Sequence, residues 1–319
     1  MKKLLCIMFG LLSIVCLVGC KNQKANIELP KQIELTTDKT EPKLKLYNTA
    51  TKEIEEINFE DYIAGVVAGE INNDWNPEAI KAQAVVARTF AIYFLQNNKS
   101  KYDGADISSD ITEAQAYAPD RINDNIRSAV AETKGKVVTS DGKIVETYFH
   151  SNSGGKTTES KYGLNNFNDE SYTKSVDSPE NEENSKDFTW TAKFSKADVL
   201  SALRKMGASV SSVKDMTITS TDKSGRAQTI KFGDTEVNAN DFRLKIGSTK
   251  LKSTLIEDIT MSTSSIVISG KGYGHGVGMS QWGAQVLAEN GKTYDEILKY
   301  YFRNIEIKEA KYHASENDN

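Results

Sequence analysis

The chain has 319 residues, with 40 Lys or Arg against 44 Asp or Glu and a formal net charge of −4. That length can bury one large core or two smaller ones, and the balanced charge excludes the broad basic field that nucleic-acid binding needs. All the cysteines, Cys6, Cys16 and Cys20, lie at the very start, which excludes a disulfide, a thiol nucleophile or a cysteine-based zinc site from the body. The three histidines, His150, His275 and His313, are too dispersed to announce a metal site, so no metal and no cofactor is expected.

Lys2 and Lys3 precede an apolar run from Leu4 to Val18, shorter than the ~20 residues a spanning helix wants and suited to a signal-peptide core. It ends in Leu17-Val18-Gly19-Cys20, which resembles a bacterial lipoprotein processing box; a plain membrane anchor with an accidental cysteine is the alternative. Residues 1–19 are therefore expected to be a signal peptide. Residues 20–42, with Cys20 lipidated, form a polar tether rich in Lys, Asn, Gln, Glu and Thr. The body spans 43–309, as one domain or as two lobes, and 310–319 is a frayed tail.

Lys43 to Asn58 alternates around Asn48-Thr49-Ala50-Thr51 and predicts a hairpin. After it, Glu70 is expected in a short loop ahead of a helix with clear start signals. Asn76 is an N-cap, Pro77 suits the first helical position, and Glu78 sits where the helix dipole favours negative charge. Ile80, Ala84, Ala87, Ala91 and Phe94 or Leu95 then mark one apolar face. Lys81 and Arg88, about two turns apart, lie on one side of that helix. Spacing alone leaves two readings open: a site for acid–base chemistry, or a surface Glu before an ordinary amphipathic helix.

Further on, Asp141-Gly142 is a hairpin turn between β-rich flanks from Lys136 to Tyr148, whose second strand delivers His150 and Ser153 into the Gly154-Gly155 loop. Ser178 to Lys186 is polar and is expected to be a solvated loop. Ser195 to Met206 predicts a capped helix stopped by Gly207, followed by short strands from Met216 to Leu244 around Ser224-Gly225 and Gly233-Asp234. Ser265 to Ser269 is a strand feeding Gly270-Lys271-Gly272-Tyr273-Gly274-His275-Gly276-Val277-Gly278, where alternate glycines allow close backbone approach. This is neither a phosphate loop nor a dinucleotide fingerprint. Met279 to Glu289 predicts a helix, and Thr293 with Glu296 a capping box for another. The fold class is α+β: mixed short strands and helices, with the Glu70 loop early and the glycine-rich His275 loop late.

The Gly69–Thr89 and Gly270–Ala284 passages together resemble the stage II sporulation protein D family of peptidoglycan lytic transglycosylases and the related amidase enhancers. Three further segments agree: Leu46-Tyr47 with Glu60-Asp61-Tyr62-Ile63-Ala64-Gly65-Val66-Val67-Ala68, Tyr148-Phe149-His150-Ser151-Asn152-Ser153-Gly154-Gly155-Lys156-Thr157, and Asp241-Phe242-Arg243 with Leu251-Lys252-Ser253-Thr254. The resemblance runs from Lys43 to Lys308. It implies cleavage of the MurNAc-β-1,4-GlcNAc bond to 1,6-anhydro products by Glu70, on glycan strands stripped of stem peptides, during engulfment in sporulation. It also implies a cell-wall amidase and a membrane partner. With the leader, it places the protein outside the cytoplasmic membrane, lipid-anchored to its outer face, and on the mother-cell septal membrane in a sporulating cell.

The residues are compatible with that chemistry. Hydrolysis by the usual glycosidase routes takes two carboxylates, and near Glu70 only Asp74 and Glu78 occur, at a helix start that uses them structurally. A single acid suffices when the sugar's own C6 hydroxyl attacks C1. Glu70 must then have a raised pKa, through burial against walls such as Val67, Ile71 and Trp75. Substrate contacts are expected from Lys81, Arg88, Tyr148, His150, Ser151, Ser153, Tyr273, His275 and Gln281. Trp282 is read as core, and Tyr273 as the ring that stacks on a sugar. For each polar group the structural alternative stays open: solvation for Lys81 and Arg88, a hydrogen-bonded turn for Tyr148 to Ser153, a loop brace for His275. A non-catalytic glycan-binding activator of an amidase and a water-using muramidase are the competing functions.

Overall fold

The computed structural model describes residues 34–35, 42–164 and 170–310. The leader with Cys20, and His313 with the rest of 311–319, lie outside the described residues. Among the described residues no helix is long and apolar enough to cross a membrane.

The first part of the chain holds β1 (Glu34–Leu35), β2 (Pro42–Asn48), β3 (Glu53–Asn58), α1 (Phe59–Glu70), α2 (Pro77–Asn97), β4 (Ile107–Ser108) and α3 (Asp124–Glu132). The middle holds β5 (Lys136–Ser140), β6 (Lys143–Ile144), β7 (Phe149–His150), α4 (Ser160–Gly163), β8 (Thr189–Ser195), α5 (Lys196–Lys205), β9 (Thr217–Thr221), β10 (Ala227–Phe232), β11 (Thr235–Asn238) and α6 (Ala239–Ile246). The last part holds β12 (Ile256–Met261), β13 (Ser265–Lys271), β14 (Met279–Ser280), α7 (Gln281–Glu289), α8 (Tyr294–Tyr301) and β15 (Ile305–Glu309). Helices and several small sheets mix along the chain, which is the α+β class expected.

α2 organises the first and last parts. Asn76 accepts from the Glu78 amide and Pro77 starts the helix, as the sequence signals require. Its Ile80, Ala84, Ala87 and Ala91 face a core with Leu44, Leu46, Phe59, Tyr62, Ile63 and Val66. Its Ala79, Ala82, Val85 and Val86 face a second core with Met279, Ala284, Leu298, Tyr301 and Phe302. A helix apolar on both sides is a buried one, and the many alanines let neighbouring elements approach closely. A third core, built on Phe194, Leu203, Phe232, Phe242, Ile266 and Ile268, belongs to residues between β8 and β13.

The β2–β3 hairpin has the expected turn, with Asn48 opposite Glu53. At Asp141-Gly142 both residues take positive φ, 49° and 75°, the twist a two-residue hairpin turn needs. The second strand is shorter than predicted, however: β6 ends at Ile144 because the chain peels away to α2, where Thr147 Oγ donates to the Val86 carbonyl at 2.8 Å. His150 and Ser153 are delivered instead by β7, which pairs in parallel with β14. Ser195 caps α5 in a capping box with Asp198, and Thr293 caps α8 with Glu296.

Three local expectations change. Residues 239–246 are helical rather than part of the strand run, since the Asn238 side chain accepts from the Asp241 amide and starts α6. α7 begins at Gln281 because Ser280 is its N-cap, leaving Met279 and Ser280 to β14. Within Ser178–Lys186, Glu180 is 2% exposed, so that stretch is not a solvated loop throughout.

Candidate active site

Glu70 closes helix α1 rather than standing in a loop, and the connector Ile71–Asn76 leads from it into α2. Gly65 and Gly69, one turn apart on α1, open a groove that seats the chain at Ala116-Tyr117. A Cβ at Gly65 would stand 2.2 Å from the Tyr117 ring, and one at Gly69 would stand 2.9 Å from the Ala116 carbonyl. The Ala118 amide donates to the Gly65 carbonyl at 3.0 Å, pinning the segment along the helix. Its Ala116 amide then donates to Glu70 Oε1 at 2.7 Å.

Burial pushes the Glu70 carboxyl above its ordinary pKa, against the Ala116 hydrogen bond, which favours the ionised form; no charged side chain is among the causes. The nearby cations are engaged elsewhere. Lys81 pairs with Glu78 at 2.8 Å and Glu132 at 2.6 Å. Arg88, 0% exposed, pairs with Glu60 at 2.6 Å and donates to the Val130 and Lys136 carbonyls. Arg88 is thus turned inward, with no surface from which to contact a glycan, while Lys81 stays partly exposed beside Glu132.

The late glycine-rich passage meets Glu70 through Gln281, the first residue of α7. Its Nε2 donates to the Glu70 carbonyl at 3.0 Å and, more weakly, to Gln83 Oε1 at 3.4 Å. Gln285 accepts from the Asn76 amide at 2.9 Å, so α7 clasps both ends of the Glu70 connector. Trp282 packs edge-on against Trp75, ring centres 4.6 Å apart, and its amide donates to the Ser151 carbonyl at 3.1 Å. Gln83 escaped notice in the sequence because a glutamine on an alanine-rich helix gives no sign that it is fully buried.

Tyr273 and Asn152 exchange backbone hydrogen bonds at 2.7 and 3.0 Å, locking the glycine-rich loop onto the Tyr148–Gly155 segment. The fit needs glycine: at Gly274, with φ 122°, a Cβ would lie 2.6 Å from His150 Cβ, and at Gly278, with φ 71°, 2.1 Å from the Tyr148 carbonyl. Val277 links the two imidazoles. His150 Nδ1 donates to its carbonyl and its amide donates to His275 Nδ1, each at 3.0 Å, so the network assigns the His275 proton to Nε2. Burial first, then His275 and Arg226, hold His150 well below its ordinary pKa, while burial, Arg243 and Arg226 bring His275 down to about 3. Both are neutral hydrogen-bonding groups at physiological pH. His150 Nε2 is buried with no hydrogen-bond partner.

Other expected contacts are turned inward. Tyr148 sets its ring edge-on to His275, but its hydroxyl lies 2.8 Å from Glu146 and 3.1 Å from Glu170. Ser153 Oγ donates to Glu180 at 2.6 Å. Glu180 also accepts from the Ser153 amide at 2.8 Å, from Ser280 Oγ at 2.6 Å and from Ser178 Oγ. It thereby joins the Ser-Gly-Gly segment to the start of α7. Tyr273 stays partly exposed, with the Lys252 ammonium 5.4 Å from its ring centre. Glu70, Ser151, Gln281 and Trp282 are thus brought together directly, with Tyr273, His150 and His275 on the adjoining loop. Arg88, Tyr148 and Ser153 act as internal braces, and Lys81 is a partly exposed ion-pair partner of Glu78 and Glu132. Among the described residues no group of three or more His, Cys, Asp or Glu is arranged to hold a metal ion.

A family model described as stage II sporulation protein matches residues 47–140, which contain Glu70, and one described as a domain of unknown function matches residues 139–278. The chain is 34% identical over 264 residues to an uncharacterised protein of Brachyspira hyodysenteriae, covering 82% of this chain and 69% of that one. It is 32% identical over 292 residues to the amidase enhancer of Bacillus subtilis, covering 75% of this chain but 39% of that protein. To the stage II sporulation protein D of Bacillus amyloliquefaciens it is 32% identical over 294 residues, 88% of this chain and 83% of the relative. On that coverage, the chain belongs to the stage II sporulation protein D family.

Proposed function

We propose that this protein is an exported peptidoglycan lytic transglycosylase in which Glu70 is the single acid–base group. The observation that carries the reading is the Glu70 carboxyl itself. Burial raises its pKa, one oxygen is held by the Ala116 amide, and among the described residues no second carboxylate takes part in its electrostatics. Oε2 is then the oxygen that donates a proton to the glycosidic O4 of the leaving N-acetylglucosamine as the C1–O4 bond breaks. The resulting carboxylate, stabilised by Ala116 N–H, takes the proton from the C6 hydroxyl of the muramic residue as O6 bonds to C1. Glu70 ends protonated, no water is consumed, and the product is a 1,6-anhydro sugar. Tyr273 offers a face for a sugar ring, and His150, Ser151, His275 and Gln281 are proposed as the polar lining.

Body 43–309 is proposed as the catalytic part, tethered through lipidated Cys20 to the outer face of the cytoplasmic membrane. Its substrate is peptidoglycan glycan freed of stem peptides, and it works beside an amidase and a membrane partner in engulfment. The relative named amidase enhancer favours one second reading, a glycan-binding activator of an amidase without turnover of its own. Mass spectrometry of glycan strands incubated with the protein separates the two. Anhydro-muramic ends support the enzyme, reducing ends indicate a hydrolase, and uncut strands with a stimulated amidase support the activator.

A further inference from the structure

The mechanism gives the Asp241-Phe242-Arg243 run no task. Phe242 is fully buried in the third core, its ring 5.1 Å from that of Phe232, which fixes the rotation of α6. Arg243 is half-buried and, among the described residues, bonded only to main-chain oxygens: Nε donates to the Lys252 carbonyl at 3.1 Å and Nη2 to the Ser248 carbonyl at 3.3 Å. The same Lys252 carbonyl accepts the Gly274 amide at 2.9 Å. Guanidinium and Tyr273–Gly274 turn therefore hang on one oxygen, and the guanidinium is rigidly placed beside the aromatic ring proposed to meet the sugar.

What Arg243 lacks is an anion. No carboxylate among the described residues forms a salt bridge with it or supports its charge, and burial pulls its pKa down to about 10. Two of its five N–H groups are used by carbonyls, leaving three donors in a planar fork. Arg226 shows the contrast: fully buried, it is held by the Lys156 and Ser153 carbonyls at 2.7 and 2.6 Å and by Ser224, with Asp222 and Glu180 supporting its charge. Arg226 is a brace, whereas Arg243 keeps uncompensated charge and spare donors. The Lys252 ammonium, paired with Asp187, adds a second cation over the Tyr273 ring. A half-buried guanidinium without a counter-charge costs free energy that an arriving anion recovers, and its fork matches a carboxylate in shape. A muramic residue differs from N-acetylglucosamine by one ether-linked carboxylic acid, which is anionic when free and a neutral amide when it carries peptide.

We propose that Arg243, assisted by Lys252, forms a carboxylate-binding subsite beside Tyr273 that reads the free acid of a muramic residue. This rests on the glycan-cleaving reading of the same cleft. The test is calorimetric titration of the full chain carrying Glu70→Gln, which blocks turnover, with two muramic-containing tetrasaccharides that differ only as free acid and carboxamide. The acid form should bind about 10- to 100-fold more tightly, the range of a charge-assisted hydrogen bond, and rising salt should narrow the gap. Arg243→Gln should abolish the difference, and Arg243→Lys, which keeps charge but not the fork, should leave part of it. Equal affinities with Arg243 intact overturn the proposal without need of any Arg243 variant, as does a preference that persists in Arg243→Gln or a failure of both sugars to bind. If the acid is preferred but the unsubstituted enzyme releases no anhydro ends, the transglycosylase reading fails and the subsite stands. If anhydro ends form with no acid preference, only the subsite fails.

Discussion

Gly69→Ala probes how the fold sets the pKa of Glu70. On helix propensity alone, alanine should stabilise α1 by up to about 1 kcal/mol. The structure opposes this, because the new Cβ would lie 2.9 Å from both the carbonyl carbon and oxygen of Ala116, main-chain atoms that cannot swing aside as a flexible side chain can. Overpacking of this kind costs about 1–3 kcal/mol, so the clash wins and stability falls by up to about 2 kcal/mol. The segment must also retreat, and its 2.7 Å amide bond to Glu70 goes with it. That bond favours the ionised carboxyl by about 1.5–3 kcal/mol, so removing it raises the Glu70 pKa further. An acid catalyst works while protonated, and its rate falls as pH rises through its pKa. The alkaline limb of kcat/KM for anhydro-product release should therefore move to higher pH in Gly69→Ala, and denaturant unfolding should give the stability change. A variant destabilised as expected but with an unmoved alkaline limb would refute control of Glu70 by the Ala116 amide.

Arg88→Met should cost about 3–5 kcal/mol, because it takes the guanidinium from the buried Glu60–Arg88 ion pair, and adding Glu60→Leu should recover most of that; a variant of full stability that has lost glycan binding would restore Arg88 as a surface contact. His150 and His275 are held neutral in the fold but protonate near their ordinary value of 6.5 when unfolded, so the unfolded chain binds more protons and stability is lost as pH falls below that value toward about 3 for His275. His275→Asn should flatten this acid loss in denaturant titrations between pH 7 and 4, and an unchanged slope would mean that the imidazole is already charged in the fold. Burial raises the Glu70 pKa, so the unfolded chain gives up this proton first and the stability tied to it is lost as pH rises from the ordinary carboxyl range through the raised value; Glu70→Gln should remove that loss in denaturant titrations, and an unchanged slope would contradict the raised pKa.

Features fixed within a few residues were the legible ones. The caps at Asn76, Ser195 and Thr293 and the Asp141-Gly142 turn are satisfied by neighbours in sequence, and each stands where its residue types predict. Helix α1 was not legible, because its buried Phe59, Tyr62, Ile63, Val66 and Val67 are interrupted by Gly65 and Gly69, which look like helix breakers until the Ala116-Tyr117 segment fills their groove. Arg88 was misplaced for a similar reason. A spacing of seven says that it shares a side with Lys81, but only Glu60, 28 residues earlier, draws the Arg88 end of that side into the interior. Glu180 sits in a stretch with the composition of a solvated loop, and the donors that bury it, Ser153 and Ser280, lie 27 and 100 positions away. Near Glu70, the sequence offered both Gln281 and Trp75, but not that Gln281 would hold the Glu70 carbonyl.

The central claim is that one carboxyl performs both proton transfers at the glycosidic bond. Its most direct test is the rate at which 1,6-anhydro ends appear, followed by mass spectrometry, from purified glycan strands with the unsubstituted protein and with Glu70→Gln. The glutamine keeps the shape of the side chain and an oxygen to accept from Ala116, but has no proton to give to the leaving oxygen. The release rate should fall by at least the ~10²–10⁴-fold that general acid catalysis contributes, with strand binding retained. Anhydro ends released by Glu70→Gln at the unsubstituted rate would contradict the account.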